Sequence, residues 1–472
     1  MEKIKKKFRI DHDFLKAIKR LIATLNEAGY ECFMVGGSVR DMLLGMEVYD
    51  FDFATNAKPE KVVELFNHVV PTGIKHGTVT VLFGKKAFEV TTYRCDGKYF
   101  DGRRPENITY SETLEEDVAR RDFTINGLAY DFEHEEVIDY VGGLKDLNEG
   151  IIRTIGSAID RLNEDGLRSY RACRFTAKLN FIIEKNSFEA IKKTLHVSEK
   201  VSVERVREEL MKMLETDKPS IGIENMRHSG LLKIALPELQ QCFGVPQNKY
   251  HKYDVYYHNI YSCDAAPKNQ PYIRLAALFH DIGKVATRRT GSDGDGTFYN
   301  HEMVGGRITE SIMKRLKFSN DDISKTVNLV MNHMFHYTDD WNDGAVRRFM
   351  RKVGIENIQD LIQLRLADRR GNGSRDGIPA PITELCERIE KVIADENAIT
   401  VKDLEITGYD VMKHFKVEPG PVIGIILNEL LEIVLDHPEH NNKDYLIAEA
   451  ENLFSEAVEK AKLVRKTRKQ TE

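Results

Sequence analysis

Little in this chain of 472 residues could staple it covalently or anchor it in lipid. Its six cysteines stand singly with no CxxC pair, so neither a zinc ribbon nor a disulfide framework is indicated, and a reducing, cytoplasmic setting is expected. No stretch approaches the roughly 18 apolar residues of a membrane span. The basic opening MEKIKKKFRI is followed by no apolar run, so a signal peptide is not expected. Internal repeats and low-complexity tracts are missing as well. Net positive charge is lacking too: 69 Lys and Arg against 75 Asp and Glu leave −6, which argues against extensive sequence-independent nucleic-acid binding. A local basic track remains open, for instance Lys460 to Lys469, although a frayed solvated end explains that stretch equally well. A hydrophobic content of 41% with 31% charged residues describes an ordinary globular protein, and the length suggests several domains.

The most informative stretch is Phe33 to Asp52, FMVGGSVRDMLLGMEVYDFD. It reads as a short strand, a glycine turn, a short helix that Ser38 can cap and Gly45 ends, and a second strand carrying Asp50 and Asp52. Two Asp at i and i+2 of a strand share a face, and paired carboxylates repel unless a cation sits between them. A glycine turn at a helix N-terminus offers N–H groups to an anion. A phosphate cradle beside paired carboxylates is what metal-assisted nucleotidyl transfer needs. Each half alone is a weak signal; most DxD pairs are solvated turns.

Residues 13–28 form an amphipathic helix by spacing, and Lys58–Phe66 a helix opened by Pro59. Thr78–Phe83 and Ala87–Tyr93 read as strands; Glu89, on the second, could supply a third carboxylate or simply face solvent. Residues 94–110 form a polar loop long enough to act as a lid. In RRDFTINGLAYD, the residues Arg121, Asp122 and Asn126 fit ribose and triphosphate contacts. From about residue 145 strand signals give way to helical periodicity, with Ala158–Asn180 read as one helix.

The Phe33–Asp52 stretch, RRDFTINGLAYD and NEDGLRSYRACRF (Asn163–Phe175) occur in the order found in bacterial-type (class II) tRNA nucleotidyltransferases, and the chain resembles that family of CCA-adding enzymes and bacterial poly(A) polymerases. The resemblance implies an α+β fold: a small mixed-sheet, polymerase-beta-like nucleotidyltransferase head followed by an all-helical neck, body, HD domain and tail. It implies a head over 1–145, neck and body over 146–245, an HD domain over 246–375 and a tRNA-binding tail over 376–472. It places the catalytic, Mg2+-binding DxD on Asp50 and Asp52, triphosphate contacts on Gly36, Gly37, Val39, Arg40 and Asp41, and further nucleotide contacts on Arg120, Arg121, Asp122 and Asn126. Arg103 and Arg104 fall in the family's flexible loop, and its EDxxR motif on Glu164, Asp165 and Arg168. That last motif has a chemical rationale. Asp accepts and Arg donates, whereas cytosine and adenine both offer an amino donor beside a ring-nitrogen acceptor. Uracil and guanine put a carbonyl where the amino group would be, leaving the carboxylate unpaired. Read as one helix, Asp165 and Arg168 share a face; the plain alternative is a surface ion pair.

A second constellation lies in RLAALFHDIGK, where His280–Asp281 is the signature of HD-domain metal-dependent phosphohydrolases. His258 upstream and Asp368 in RLADRRGN complete the H…HD…D order, suited to Mn2+, Ni2+ or another divalent cation; His301 and His333 could extend it to a second metal or to phosphate. The C-terminal run Val422 to Leu431 most simply packs a core, with RNA-backbone contact as the alternative. Expected partners are tRNA, ATP and CTP. A-only, CC-only or poly(A) addition are narrower readings within the class, and the resemblance speaks against CC-only, since that branch is expected to lack the motif of the loop YFDGRRPEN. A phosphohydrolase whose head only binds RNA, and a non-catalytic tRNA-binding protein, stand outside it.

Overall fold

The computed structural model describes residues 1–74, 77–96, 108–249, 251–291, 295–373, 377–395 and 399–469. Arg103 and Arg104 lie outside the described residues. The chain divides into two compact units, Met1–Phe243 with Ile312–Phe318, and Gly244–Ser311 with Ser319–Glu472.

The first unit opens on strand β1 (Glu2–Lys5) and helix α1 (His12–Glu27), which buries Ile18, Leu21 and Leu25. Then come β2 (Cys32–Val35), α2 (Gly37–Leu43), β3 (Asp52–Thr55), β4 (Val69–Gly73), β5 (Thr78–Phe83) and β6 (Lys86–Thr92). A separate two-stranded pair, β7 (Arg94–Asp96) and β8 (Ile108–Tyr110), precedes β9 (Leu128–Asp131) and β10 (Glu136–Asp139). The main sheet has the order β1-β10-β9-β2-β3-β6-β5-β4. It is mixed as expected: β3 and β6 run parallel, and the other neighbours antiparallel. Strand β1 carries no apolar alternation. It is held at the sheet edge by pairing with β10 and by Lys3 and Lys5 converging on Glu136, 3.4 and 3.2 Å away. The rest of the unit is almost wholly helical.

Ala158–Asn180 is two helices, not one. Ala158–Glu164 ends at an extended Asp165, and Leu167–Leu179 starts afresh. Gly166 explains the break. A Cβ there would lie 2.6 Å from the Val197 carbonyl oxygen, so the chain turns where another backbone presses on it.

The second unit is helical except for a short antiparallel pair, Arg289–Thr290 with Gly296–Thr297, which departs from the all-helical expectation. Val255–Ala265, Pro271–Phe279, Asn320–Asn332 and Ile358–Gly371 surround its His/Asp cluster. Near its end, Thr407 and Asp410 form a reciprocal capping box on Gly408–Phe415. Ile423, Ile426, Leu430 and Leu431 of helix Pro421–Asp436 are buried against Leu446 and Ala450, which satisfies the packing reading of that run.

Candidate functional site

Gly36, Gly37, Asp50, Asp52, Asp165 and Arg168 line one cleft of about 600 Å3. Helix α2 begins directly after β2, with Gly36 as its N-cap. Gly36 has φ +75°, so the turn needs glycine for its backbone conformation; a Cβ there would also come 3.1 Å from Arg121 Nη1. Ser38 does not cap the helix as expected: its hydroxyl turns back to donate to the Val35 carbonyl, 2.9 Å. Strand β3 starts at Asp52, leaving Asp50 exposed on the approach to it rather than within it. Glu89 is the parallel-register partner of Asp52, so the two lie on one face of neighbouring strands. Burial, then Asp50, then Glu89 push the Asp52 carboxyl up to about 6, against the weaker opposite pull of Arg121.

Arg40 is 2% exposed and already engaged. Its guanidinium donates to Asp41 (2.7 Å) and to the Asn126 side-chain oxygen, and lies over the Phe175 ring at 4.9 Å. Asn126 donates in turn to Asp122 at 2.9 Å, and Arg171 donates to the same carboxylate at 2.8 Å. Burial alone would raise Asp122; Arg171 and Asn126 outweigh it and hold the carboxyl near about 2. Arg120 and Arg121 both fork onto the fully buried Asp117. Asp122, Asn126 and Arg40 are thus the framework of one wall, tied to one another.

Asp165 and Arg168 do not pair through their side chains. Asp165 receives Arg205, at 2.7 and 3.2 Å, and the Leu167 N–H at 3.0 Å. Arg168 donates to Glu164 and to the backbone carbonyls of Arg161 and Arg120. Sequence reasoning missed Arg205, Arg171, Arg174 and Lys178, all in the cleft lining. Arg171, Arg174 and Lys178 follow the EDxxR motif at helical spacing, a signal that was available; Arg205, forty residues from its partner, carried none.

In the second unit His258, His280, Asp281 and Asp368 converge as expected. His258 Nε2 lies 3.1 Å from His280 Nε2, 3.4 Å from Asp281 Oδ2 and 3.1 Å from Asp368 Oδ1. His301 and His333 approach the other oxygen, Asp281 Oδ1, at 3.2 and 3.7 Å. Asp281 therefore faces two histidine pairs, one on each oxygen. Nδ1 of His280, His301 and His333 each meets a backbone carbonyl at 2.7 to 2.8 Å. That fixes the rings with Nε2 turned to the carboxylates, the orientation of metal-ligating histidine. Buried Lys284 donates to Asp281 Oδ2 at 2.6 Å. Burial raises Asp281, but Lys284 and His280 outweigh it and hold the carboxyl well below its usual range. His251, in a polar loop without periodicity, also comes within ligating reach of His258 and Asp281 and was not singled out. A cavity of about 910 Å3 opens onto this cluster.

Residues 32–153 match the poly A polymerase head domain, and 180–243 the family described as a "probable RNA and SrmB-binding site of polymerase A". Residues 303–450 match tRNA nucleotidyltransferase domain 2. A CCA-adding enzyme of Ligilactobacillus salivarius is 31% identical over 449 residues, spanning 95% of this chain and 99% of its own. The chain belongs to the CCA-adding enzymes of the poly(A) polymerase family. Over 200 residues, 42% of this chain and 50% of the other, the CCA-adding enzyme of Lactobacillus helveticus reaches 48% identity. Among solved structures, the Bacillus stearothermophilus CCA-adding enzyme in complex with CTP is similar over 98% of this chain and 100% of its own. Its TM-score is 0.72 at 25% identity. The two glycines, the DxD and the Asp165–Arg168 segment of this CCA-adding family member all lie in the unit that carries the head-domain match. Among the described residues no helix is long and apolar enough to cross a membrane.

Proposed function

We propose that the chain adds C, C and A to the 3′ end of tRNA from CTP and ATP without a nucleic-acid template, in the cytoplasm, for tRNA maturation and repair. The observation that carries this is one cleft lined at once by the Gly36 turn, by Asp50 and Asp52, and by Asp165 with Arg168. Asp50 and Asp52, with Glu89 beside them, fit a divalent cation: a carboxyl raised by burial and by the charge of Asp50 and Glu89 is stabilised by a counter-charge. Mg2+ held there would polarise the triphosphate and acidify the primer's terminal hydroxyl. The Gly36–Gly37 turn at the start of α2 lines the cleft and can turn backbone N–H groups to the triphosphate, with Arg121 beside it. Asp165 accepts the amino hydrogen of cytosine or adenine while Arg168 donates to the ring nitrogen. Arg205 and Glu164 act on these two as positioning residues, each holding its partner in place. Residues 1–145 serve as head, 146–245 as neck and body selecting nucleotide and holding RNA, and 376–472 as a tail for tRNA.

The deciding experiment incubates tRNAs lacking A, CA or CCA with single nucleotides and with both. Extension of the fully truncated tRNA by CCA supports the proposal; extension only of the tRNA lacking A makes it an A-adding enzyme, and a long A tract a poly(A) polymerase. Arg205→Ala is expected to lower kcat/KM for CTP and ATP about 10- to 100-fold, the worth of a charge-assisted hydrogen bond. Misincorporation of UTP and GTP should rise with it. Unchanged selectivity in single-turnover assays removes the positioning role.

A second activity rests on the His/Asp cluster. Residues 246–375 are read as an HD domain in which His258, His280, Asp281 and Asp368 hold Mn2+, Ni2+ or another divalent cation. His301 and His333 extend the site across Asp281. Three anchored rings with Nε2 turned to a shared carboxylate favour this reading. The substrate class is a phosphate ester, a 2′,3′-cyclic phosphate at a damaged RNA end being the one that would serve repair.

A further inference from the structure

The cleft shares a wall with a second hollow on the first unit. Glu47, Val48 and Tyr49 line both the cleft and an adjoining cavity of about 440 Å3. Aromatic rings line the hollow: Phe8, Phe14 and Phe51, the last two with centroids 5.4 Å apart. Tyr49, the residue before Asp50, is 70% exposed. Its hydroxyl donates to Glu47 Oε2 at 2.6 Å, which fixes the ring at its tip. So exposed a ring contributes little to core burial, and the nucleotide contacts above give it no part.

The charges around the hollow are unevenly committed. Asp11 caps α1 through the N–H groups of Asp13 and Phe14, and Glu47 holds Tyr49. Lys3, Lys5 and Lys7 of the N-terminal run pair with Glu136 and Glu135. Arg9, exposed and lining the hollow, makes no ion pair among the described residues. A free cation beside an aromatic ledge is the chemistry of a single-stranded nucleic-acid track, where bases stack on rings and cations meet phosphates.

Nucleotide addition needs two substrates in register at Asp50 and Asp52. Asp165 and Arg168 account for the base of the incoming nucleotide and the glycine turn for its triphosphate; the strand bearing the attacking hydroxyl still needs a seat. We propose that Tyr49 and the hollow behind it hold the single-stranded 3′ end of the RNA, the terminal base stacked on Tyr49 and a phosphate of the same strand against Arg9. This rests on the nucleotide-addition reading. A ring that stacks on a base face does not read its edge, so it suits a primer whose last base changes with each addition.

Steady-state kinetics with tRNA lacking CCA, with RNA and nucleotide varied separately, test the seat. Tyr49→Ala is expected to raise KM for RNA about tenfold or more, with KM for CTP unchanged. Tyr49→Phe, which keeps the ring and loses the bond to Glu47, should restore the wild-type value. Arg9→Ala should weaken tRNA binding in a filter assay and lower its salt slope by about one. A Tyr49→Ala enzyme with wild-type KM for RNA overturns the proposal, as does a Phe variant that behaves like Ala. A wild-type protein that adds no nucleotide refutes the nucleotide-addition reading instead. The filter assay then still decides whether Tyr49 and Arg9 hold RNA, and wild-type tRNA affinity in both Ala variants overturns the seat.

Discussion

Alanine at Asp50 or Asp52 is expected to cut incorporation of CMP and AMP at least about a thousandfold, roughly 4 kcal/mol in the barrier, while tRNA binding stays nearly intact. The two side chains contribute no core packing that would explain such a loss: Asp50 is exposed and Asp52 half-buried at the mouth of β3. Their worth lies in charge held beside Glu89 across the β3–β6 register. The same charges predict a pH dependence. With its carboxyl pushed up to about 6, Asp52 takes up a proton in the metal-free fold more readily than in the unfolded chain. The metal-free protein therefore loses stability from this group as pH rises from about 4 to about 6. Asp122, held near about 2, does the reverse, contributing above pH 4 and failing only as pH falls toward 2. Because proton and cation compete for Asp52, the acid limb of the rate should lie near pH 6 at low Mg2+ and move to lower pH as Mg2+ is raised. Retained incorporation in Asp50→Ala would sink the assignment of the metal pair.

His280→Ala is expected to abolish Mn2+- or Ni2+-dependent hydrolysis of 2′,3′-cyclic nucleotides and leave nucleotide addition in place. His280 sits at the crowded centre, its Nε2 3.4 Å from Asp281 Oδ2 and 3.7 Å from Asp368 Oδ1. Removing it breaks a buried ionic network, which costs about 3–5 kcal/mol where a charge is left uncompensated. His280→Gln, which keeps more of the volume, guards against simple unfolding, and bound metal measured after dialysis reports the site without reference to turnover. A wild-type protein that retains no metal and is inert with every cation would reject the hydrolytic reading.

What could be read from residues alone was what lies close together along the chain. The glycine turn and DxD sit within twenty residues, and H…HD…D has its central pair adjacent. The run Ile423 to Leu431 shows its helical face by spacing. What escaped depends on pieces brought together by folding. Glu89 could be read as a strand residue and a possible third carboxylate, but it is the parallel β3–β6 register that sets it opposite Asp52. Asp165 and Arg168 read as one helical face because nothing local shows that another backbone crowds Gly166 and breaks the helix there. Arg205 reaches Asp165 from a different helix, Val203–Leu214. Strand β1 has the composition of a solvated tail and exists because β10 offers it an edge and Glu136 a counter-charge.

The sheet order also sets a timetable for synthesis. Strand β1 leaves the ribosome well before its partner, since among the described residues its neighbour in the sheet is β10, some 130 residues later. The cleft waits longer still, because Asp165 receives its guanidinium from Arg205. At about 5–20 residues per second, roughly 8 to 34 seconds pass between the emergence of the glycine turn and that of Arg205, the last side chain that completes the pocket. Until β10 emerges the sheet stands half-built with open edges, so its early life depends on whatever shields unpaired strands in the cell.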